Sequence, residues 1–259
     1  MRRILVTGSN GQLGRSLQQK AHDFTELCFD FKSSQELDIT KPEELVEAFQ
    51  KENYDFCINC AAFTNVEQAE KHPEEAFKVN AEGVKNLAEA CKKHRITLIH
   101  VSTDYVFDGK KKGAYTIDDR TNPINEYGKS KLAGEQFIQQ IIPNHFIIRT
   151  SWLYSKKYGH NFYRTILRKA LAGDDLHITD AQKGCPTDTD SLAKFILKEI
   201  VLGKKPFGLY HFTDGKPMTW YEFAQHILNE NGLADKAKLV LDTNYRTFAK
   251  RPKNSVLAN

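Results

Sequence analysis

The sequence predicts an α/β protein, a doubly wound parallel sheet with a smaller C-terminal α/β lobe. Three observations predict it. Five short apolar or β-branched runs alternate with helical patterns across the first 150 residues. A glycine-rich turn, Gly8-Ser9-Asn10-Gly11-Gln12-Leu13-Gly14, joins the first run directly to the first helical pattern. After Trp152 the strands become short and scarce, and Gly, Pro and Asp turns are common. Strands alternating with helices require right-handed crossovers, which yield a parallel sheet covered on both faces. A chain of 259 residues can bury one large core, or one domain with an appended lobe. The expected boundary lies between 151 and 152, with chain contributions free to interleave.

The elements follow in order. Residues 3–7 form the first strand, and a helical pattern runs to about His22. Glu26 to Phe31 reads as the second strand. Pro42 opens a helix of good formers through Lys51, a favoured use of proline at a helix start. Phe56 to Cys60 is the third strand. Glu74 to Arg95 is one long helix, with small and apolar residues at Ala76, Val79, Gly83, Leu87 and Ala90. Ile96 to Val101 is the fourth strand, apolar apart from Thr97 and His100. Glu126 to Ile141 is helical and His145 to Arg149 is the fifth strand. In the second lobe, Phe162–Ala172, Ser191–Leu202 and Trp220–Glu230 read as helices, and Leu176–Thr179 and Leu209–Phe212 as short strands. The long charged connection from Asp108 to Pro123 reads equally as a flap over a site or as a solvated loop.

Composition excludes several classes of function. A net charge of +4, evenly spread, is too mild for nucleic-acid binding and suits an anionic small molecule. No stretch approaches the roughly 18 apolar residues a membrane helix needs. The apolar run after Met1-Arg2-Arg3 is too short for a signal peptide, so a cytoplasmic location is expected. Five cysteines are an odd, sparse set and do not form a disulfide framework. Cys57-Ile58-Asn59-Cys60 has metal-ligand spacing but no second pair, and it reads as packed thiols in a buried strand.

The glycine turn carries the first chemistry. Its glycines permit a tight turn, a close approach of backbone to a pyrophosphate and close helix–strand packing, and the helix start supplies N–H groups for the phosphates. Gly8, Asn10, Gly11, Gln12, Leu13 and Gly14 are therefore candidate dinucleotide contacts. An acidic residue about 20 positions after the first glycine binds the adenosine ribose of NAD, and Asp30 is near that place. Lys32, with Ser33 and Ser34 after it, is suited to a 2′-phosphate, so NADPH and NADH both remain open. The second chemistry is Tyr127 and Lys131, four residues apart and so on one helix face. An ammonium beside a phenol lowers the phenol pKa and fits Tyr127 for proton exchange with a carbonyl oxygen. A strand ending at Val101 puts Ser102 and Thr103 at the carboxyl edge of the sheet, where α/β sites form. There Thr103 can donate a hydrogen bond to a ketone.

The glycine spacing resembles that of the extended short-chain dehydrogenase/reductases, a Rossmann superfamily. Further runs resemble one family within it, the dTDP-4-dehydrorhamnose reductases. These are Leu37-Asp38-Ile39-Thr40, Ile58 through Glu70, Val79-Asn80, Ser102-Thr103-Asp104-Tyr105-Val106-Phe107-Asp108-Gly109, Pro123 through Lys131, Arg149-Thr150-Ser151-Trp152, Gly184-Cys185-Pro186-Thr187 and Arg251-Pro252. The resemblance implies that Asp38 and Ile39 lie at the adenine, and that Ala61, Ala62, Asn80 and Ser102 line the coenzyme channel. It implies a catalytic set of Thr103, Tyr127 and Lys131, with Tyr127 and Lys131 also touching the coenzyme. Thr64, Val66, Thr103, Asp104, Tyr105 and Trp152 would form the sugar pocket, and Asn161 and Gln182 would face the nucleotide. It implies a nucleotide-sugar substrate and leaves a homodimer open. Some members bridge a dimer through a divalent cation held by a Glu, but Ser16 occupies that place, so no metal is expected. Two other readings share the fold. The related dehydratases follow Thr-Asp with a Glu acid/base where this chain has Tyr105, and the 103–109 run does not resemble that of the epimerases. Regulatory subunits of methionine adenosyltransferase bind a dinucleotide on a similar scaffold, and an intact Thr103, Tyr127 and Lys131 weigh against that role.

Overall fold

The computed structural model describes residues 1–259. Its central sheet is built from β1 (Arg2–Thr7), β2 (Leu27–Lys32), β3 (Phe56–Asn59), β4 (Thr97–Thr103), β5 (His145–Thr150) and a late strand at Gly208–His211. All neighbouring pairs are parallel, and the spatial order is late strand, β5, β4, β3, β1, β2. The strand order reverses between β1 and β3, the crevice at which doubly wound sheets bind ligands.

Alternation along β1 explains the two-sided core. Ile4 and Val6 face one layer and Leu5 faces the other, all fully buried. On the first face lie α1 (Gln12–Ala21) and a helix that begins at Thr189 and runs on as a π-helical turn to Val201. Leu13 and Leu17 meet Leu192, Ile196 and Ile200 there. On the second face lie α2 (Pro42–Lys51), the helical run at 73–94 and α6 (Glu126–Ile141). Leu45, Phe49, Val84, Leu87, Cys91 and Ile138 fill that layer.

The predicted boundary at 151/152 is crossed by the chain. The strand Gly208–His211, assigned from sequence to the second lobe, pairs with β5, with Leu209 opposite Ile147. The helical run 189–201 also packs on the central sheet. Both have apolar faces that the small lobe cannot cover, and the open edge of β5 can. Between α2 and α6, the chain also forms α3 (Val66–Lys71), which the sequence does not announce.

The helix predicted as continuous from Glu74 to Arg95 starts with Pro73–Phe77 as α4, passes through a π turn at Lys78–Glu82 and resumes as α5 (Gly83–His94). The wide turn presents Asn80, whose side chain accepts from Phe63 N at 2.9 Å, donates to Phe63 O at 2.9 Å and donates to Ser130 Oγ at 3.0 Å. π turns commonly mark functional positions in this way.

The small lobe holds β6 (Leu153–Tyr154), α7 (Phe162–Ala172), β7 (Leu176–Ile178), β8 (Lys183–Gly184), β9 (Thr187–Asp188), β11 (Met218–Thr219), α9 (Trp220–Glu230) and β12 (Leu239–Leu241), while α8 (Thr189–Phe195) packs on the main sheet and β10, the late strand Gly208–His211, joins it. The lobe's core joins α7 to α9 through Tyr163, Ile166, Phe223 and Ile227. The capping box of Thr219 and Glu222 starts α9. The connection at 108–123 is anchored. Tyr115 is buried against Phe107, its N–H donates to Val256 O and its carbonyl accepts from Ala258 N, both at 2.8 Å. Asn254 Nδ2 also donates to Lys111 O at 2.7 Å and Gly113 O at 2.9 Å. Of the two expectations for this connection, a mobile flap does not fit these ties. No helix of the chain is long and apolar enough to cross a membrane.

Candidate active site

A cavity of about 440 Å³ opens at the carboxyl ends of β1, β3, β4 and β5, between the sheet and the small lobe. Gly11, Gln12, Leu13 and Gly14 line one end, and Thr103, Tyr127 and Lys131 line the middle. Thr64, Val66, Asp104, Tyr105, Trp152 and Asn161 are also on its wall, with Ala62 and Ser102.

The glycine turn is built for a close approach. Gly8 has φ +65°, and a Cβ there would stand 2.5 Å from Ala61 N, so only glycine lets β1 and β3 end this close together. Helix α1 starts at Gly11 with no side-chain cap and no acidic residue in its first turn. Its first N–H groups and positive dipole end are left facing the cavity, an arrangement that fits a coenzyme pyrophosphate. Asn10 is exposed on the same turn.

The adenosine side is arranged as follows. Asp30 accepts from Tyr54 Oη at 2.5 Å and pairs with Lys32 Nζ at 3.1 Å, so each ribose candidate already holds the other. Asp38 accepts from the backbone N and the hydroxyl of Thr40, both at 2.9 Å, in a local turn. Ile39 is buried against Gly83. Gly8, Asn10, Asp30, Lys32, Asp38, Ile39, Ala61, Asn80 and Gln182 lie outside the cavity wall.

Three elements bring the reactive groups together. Asn125 caps α6 by accepting from Gly128 N at 2.8 Å, which fixes the first turn that carries Tyr127. β4 ends in Thr103, whose hydroxyl donates to Asp104 Oδ1 at 3.1 Å and accepts from Tyr105 N at 3.2 Å. Ser151 Oγ donates to Asp104 Oδ2 at 3.0 Å. Burial pushes the Asp104 carboxyl up to about 6, opposed by its Ser255, Ser151 and Thr103 donors. Tyr105 sets its ring edge-to-face with Tyr127 at 5.9 Å, and burial pushes its phenol up to about 12.

The expected relation between Tyr127 and Lys131 is corrected. Lys131 is fully buried, and its Nζ donates to Val101 O at 2.8 Å and lies 3.2 Å from His100 Nε2. Burial brings its pKa down to about 8. Burial raises the Tyr127 phenol above its ordinary value, and the opposing group is the Thr103 hydroxyl. Without a closely placed cation, desolvation wins at Tyr127. A phenol that stays protonated is the form needed to give a proton away.

Ser102 lines the cavity, but its hydroxyl is engaged behind the wall. Its hydroxyl donates to Glu135, which also receives Arg149 through Nε at 3.0 Å and through Nη2 at 2.7 Å. All three are buried, and the Arg149 guanidinium lies 5.2 Å over the Phe107 ring. Ser16 is not on the wall; it donates to Thr189 Oγ1 at 2.8 Å and ties α1 to α8.

The small lobe supplies the facing wall, in part from residues that the sequence did not single out. Trp152 stacks on Trp220 with ring centroids 3.5 Å apart. Gly184 lies under it, and a Cβ there would reach 2.5 Å from the indole. Gln182 accepts from Trp220 Nε1 at 3.0 Å. Asn161 caps α7, accepting from Arg164 N at 3.0 Å while its amide donates to Gln12 Oε1 at 3.1 Å and Ser155 O at 2.9 Å. Phe223, His160 and Arg251 complete the wall, with Arg251 Nη2 held by Glu67 Oε1 at 2.9 Å. The family resemblance had pointed to Trp152, Asn161, Gln182, Gly184 and the Arg251-Pro252 pair, and nothing local marked Trp220 or Phe223.

The chain is similar to known proteins over almost its whole length. A dTDP-4-dehydrorhamnose reductase of Aggregatibacter actinomycetemcomitans is 40% identical over 99% of this chain and 90% of its own length. The crystal structure of a dTDP-4-dehydrorhamnose reductase from Clostridium acetobutylicum superposes with a TM-score of 0.92 at 38% identity, over 99% of this chain and 90% of that one. That of the Bacillus anthracis reductase, in complex with NADP, superposes with a TM-score of 0.94 at 35% identity, over 100% and 91%. The family described as the RmlD substrate binding domain matches residues 1–259 in full, and the chain belongs to it.

Proposed function

We propose that this chain reduces the 4-keto group of dTDP-4-dehydrorhamnose to give dTDP-L-rhamnose, with NADPH or NADH as the reductant. The observation that carries the reading is one cavity that holds an uncapped glycine-turn helix start at one end and Thr103, Tyr127 and Lys131 at its centre. The NADP in the Bacillus anthracis relative favours NADPH, while the mutual Asp30–Lys32 pair leaves NADH open.

When bound, the reduced nicotinamide supplies the hydride. The chain's own residues do the rest. Thr103 orients the ketone oxygen by hydrogen bonding. Tyr127 delivers the proton to that oxygen from its phenol. Lys131, on the same cavity wall, holds the coenzyme ribose and keeps a positive charge in the site below about pH 8. Thr64, Val66, Asp104, Tyr105 and Trp152 enclose the sugar, and Asn161 and Gln182 stand on the nucleotide side, Asn161 as the cap of α7 and Gln182 as the brace of Trp220. Tyr105 stands where a dehydratase needs a carboxylate, so water elimination has no acid/base at that position. A dinucleotide coenzyme, a nucleotide-sugar substrate and a cytoplasmic location belong to the same reading.

The test is oxidation of NADPH and NADH by the purified protein, followed at 340 nm with the dTDP-keto-sugar and with other keto-sugars. Turnover selective for the dTDP-keto-sugar is expected, and turnover of none of them contradicts the reading. Saturating NADPH should raise the melting temperature, because a ligand that binds only the folded state stabilises it by about 2.7 kcal/mol at a hundredfold excess over Kd. An unmoved Tm with both coenzymes would remove the coenzyme assignment. Wild type should lose rate as pH rises through about 8, where the ammonium loses its charge, and Lys131→Ala should lower the rate and abolish that fall. A lower rate with that fall still present would leave Lys131 a ribose-holding role alone.

A further inference from the structure

A chain of buried polar groups runs from the end of β1 to Lys131. Thr7, Asn59 and His100 are each at most 1% exposed, on the sheet face whose core includes Leu5, Cys57, Leu87 and Leu98. Thr7 Oγ1 donates to Asn59 Oδ1 at 2.7 Å, Asn59 Nδ2 meets His100 Nδ1 at 3.0 Å, and His100 Nε2 meets Lys131 Nζ at 3.2 Å. None of the residues Thr7, Asn59 and His100 reaches the cavity.

The protons in this chain can be counted. The backbone N–H of Ala61 donates to Asn59 Oδ1 at 3.1 Å, and a backbone N–H can only donate. That contact fixes the amide orientation, so the group facing His100 Nδ1 is the NH₂ of Asn59, also only a donor. His100 Nδ1 must therefore accept. The fully buried ring is held neutral, and a neutral imidazole has one N–H, which must then sit on Nε2. That N–H points at Lys131 Nζ. An ammonium has no lone pair to receive it, but an amine has one, and can still donate to Val101 O at 2.8 Å.

We propose that Asn59 and His100 are positioning residues that hold a ring N–H against Lys131, so that the lysine sheds its extra proton more readily than a solvent-exposed lysine does. The proposal deepens the reductase reading, because it concerns the protonation of that reading's own lysine. Two other titratable groups face Lys131: Cys60, beyond the end of β3, and Glu135, one turn along α6, and both favour the charged form. Burial and the His100 N–H oppose them. The lowered pKa of Lys131, near 8, agrees with this balance. The arrangement makes Asn59 a control point two residues removed from any reacting atom.

The test reads the ring and the lysine by NMR on the coenzyme-free protein, without substrate, so that an inactive reductase would leave it standing. Histidine labelled with ¹⁵N, with the His100 signals assigned from His100→Gln, should show the Nε2–H tautomer between pH 6 and 8. Lysine labelled at ¹³Cε, with Lys131 assigned from Lys131→Arg, should titrate near pH 8. Asn59→Asp keeps the shape and the acceptor for Ala61 but replaces the NH₂ by a second acceptor. The ring should then move to the Nδ1–H tautomer, and the Lys131 midpoint should rise by about 1–2 pH units. His100→Gln can turn a carbonyl oxygen towards Lys131 and should raise the midpoint in the same direction, which keeps the test intact if Asn59→Asp fails to fold. An Nδ1–H ring or an imidazolium in wild type would overturn the proposal. So would a Lys131 midpoint that stays put in the folded variants.

Discussion

Tyr127→Phe should lower kcat by about 100-fold or more while the coenzyme Kd and the melting temperature stay close to wild type. The substitution removes one oxygen and leaves a ring of the same shape, so the edge-to-face contact with Tyr105 at 5.9 Å survives. What disappears is the proton that the phenol delivers to the ketone oxygen. Burial keeps that phenol protonated well above neutral pH, so wild type should show no loss of rate from its ionisation between pH 6 and 9. Steady-state kinetics at saturating coenzyme decide the matter, and a kcat within about threefold of wild type would end the proton-donor role.

The second large effect is on stability. Arg149→Met should cost about 3–5 kcal/mol, because it leaves the Glu135 carboxylate buried with only the Ser102 hydroxyl as a partner. The arginine is bidentate to Glu135, lies over Phe107 and sits opposite Ser102 across β4 and β5, so its removal touches the strand end that carries Thr103. The double substitution Arg149→Met with Glu135→Leu should recover most of the loss, since no charge is then stranded. Urea unfolding of the single and double variants measures both terms. A cost below about 1 kcal/mol for Arg149→Met alone would show that Glu135 finds water or another partner.

Local patterns made part of this molecule legible. The 8–14 turn can be read because a strand, three glycines and a helix start must be contiguous to work, and all lie within one short stretch. Tyr127 and Lys131 can be read for the same reason, being one helical turn apart. The environment of Lys131 could not be read in this way. Sequence spacing pairs it with Tyr127, but its Nζ meets His100 and Val101 O, because β4 aims His100 at α6 and the pleat of a strand is invisible until its neighbours are placed.

The limits of the long helix and of the lobe have similar causes. Asn80 needs the wide π turn to reach Phe63 and Ser130, contacts that come from a different segment and leave no periodic mark. The strand at Gly208–His211 looks like any short lobe strand until β5 offers an open edge. Trp220, Phe223 and Arg251 reach the cavity only because α9 packs on α7 and because Glu67 on α3 holds the arginine. Those contacts are long-range in sequence, and no spacing rule foretells them.

The central claim is that a hydride reaches carbon 4 of a dTDP-bound keto-sugar while Tyr127 protonates the oxygen. Turnover with NADPH carrying deuterium at the transferable position of its nicotinamide tests it most directly, with the product read by NMR and mass spectrometry. One deuterium at C4 of the rhamnosyl product is expected in ordinary water. Deuterium absent from the sugar, or placed at another carbon, would contradict it.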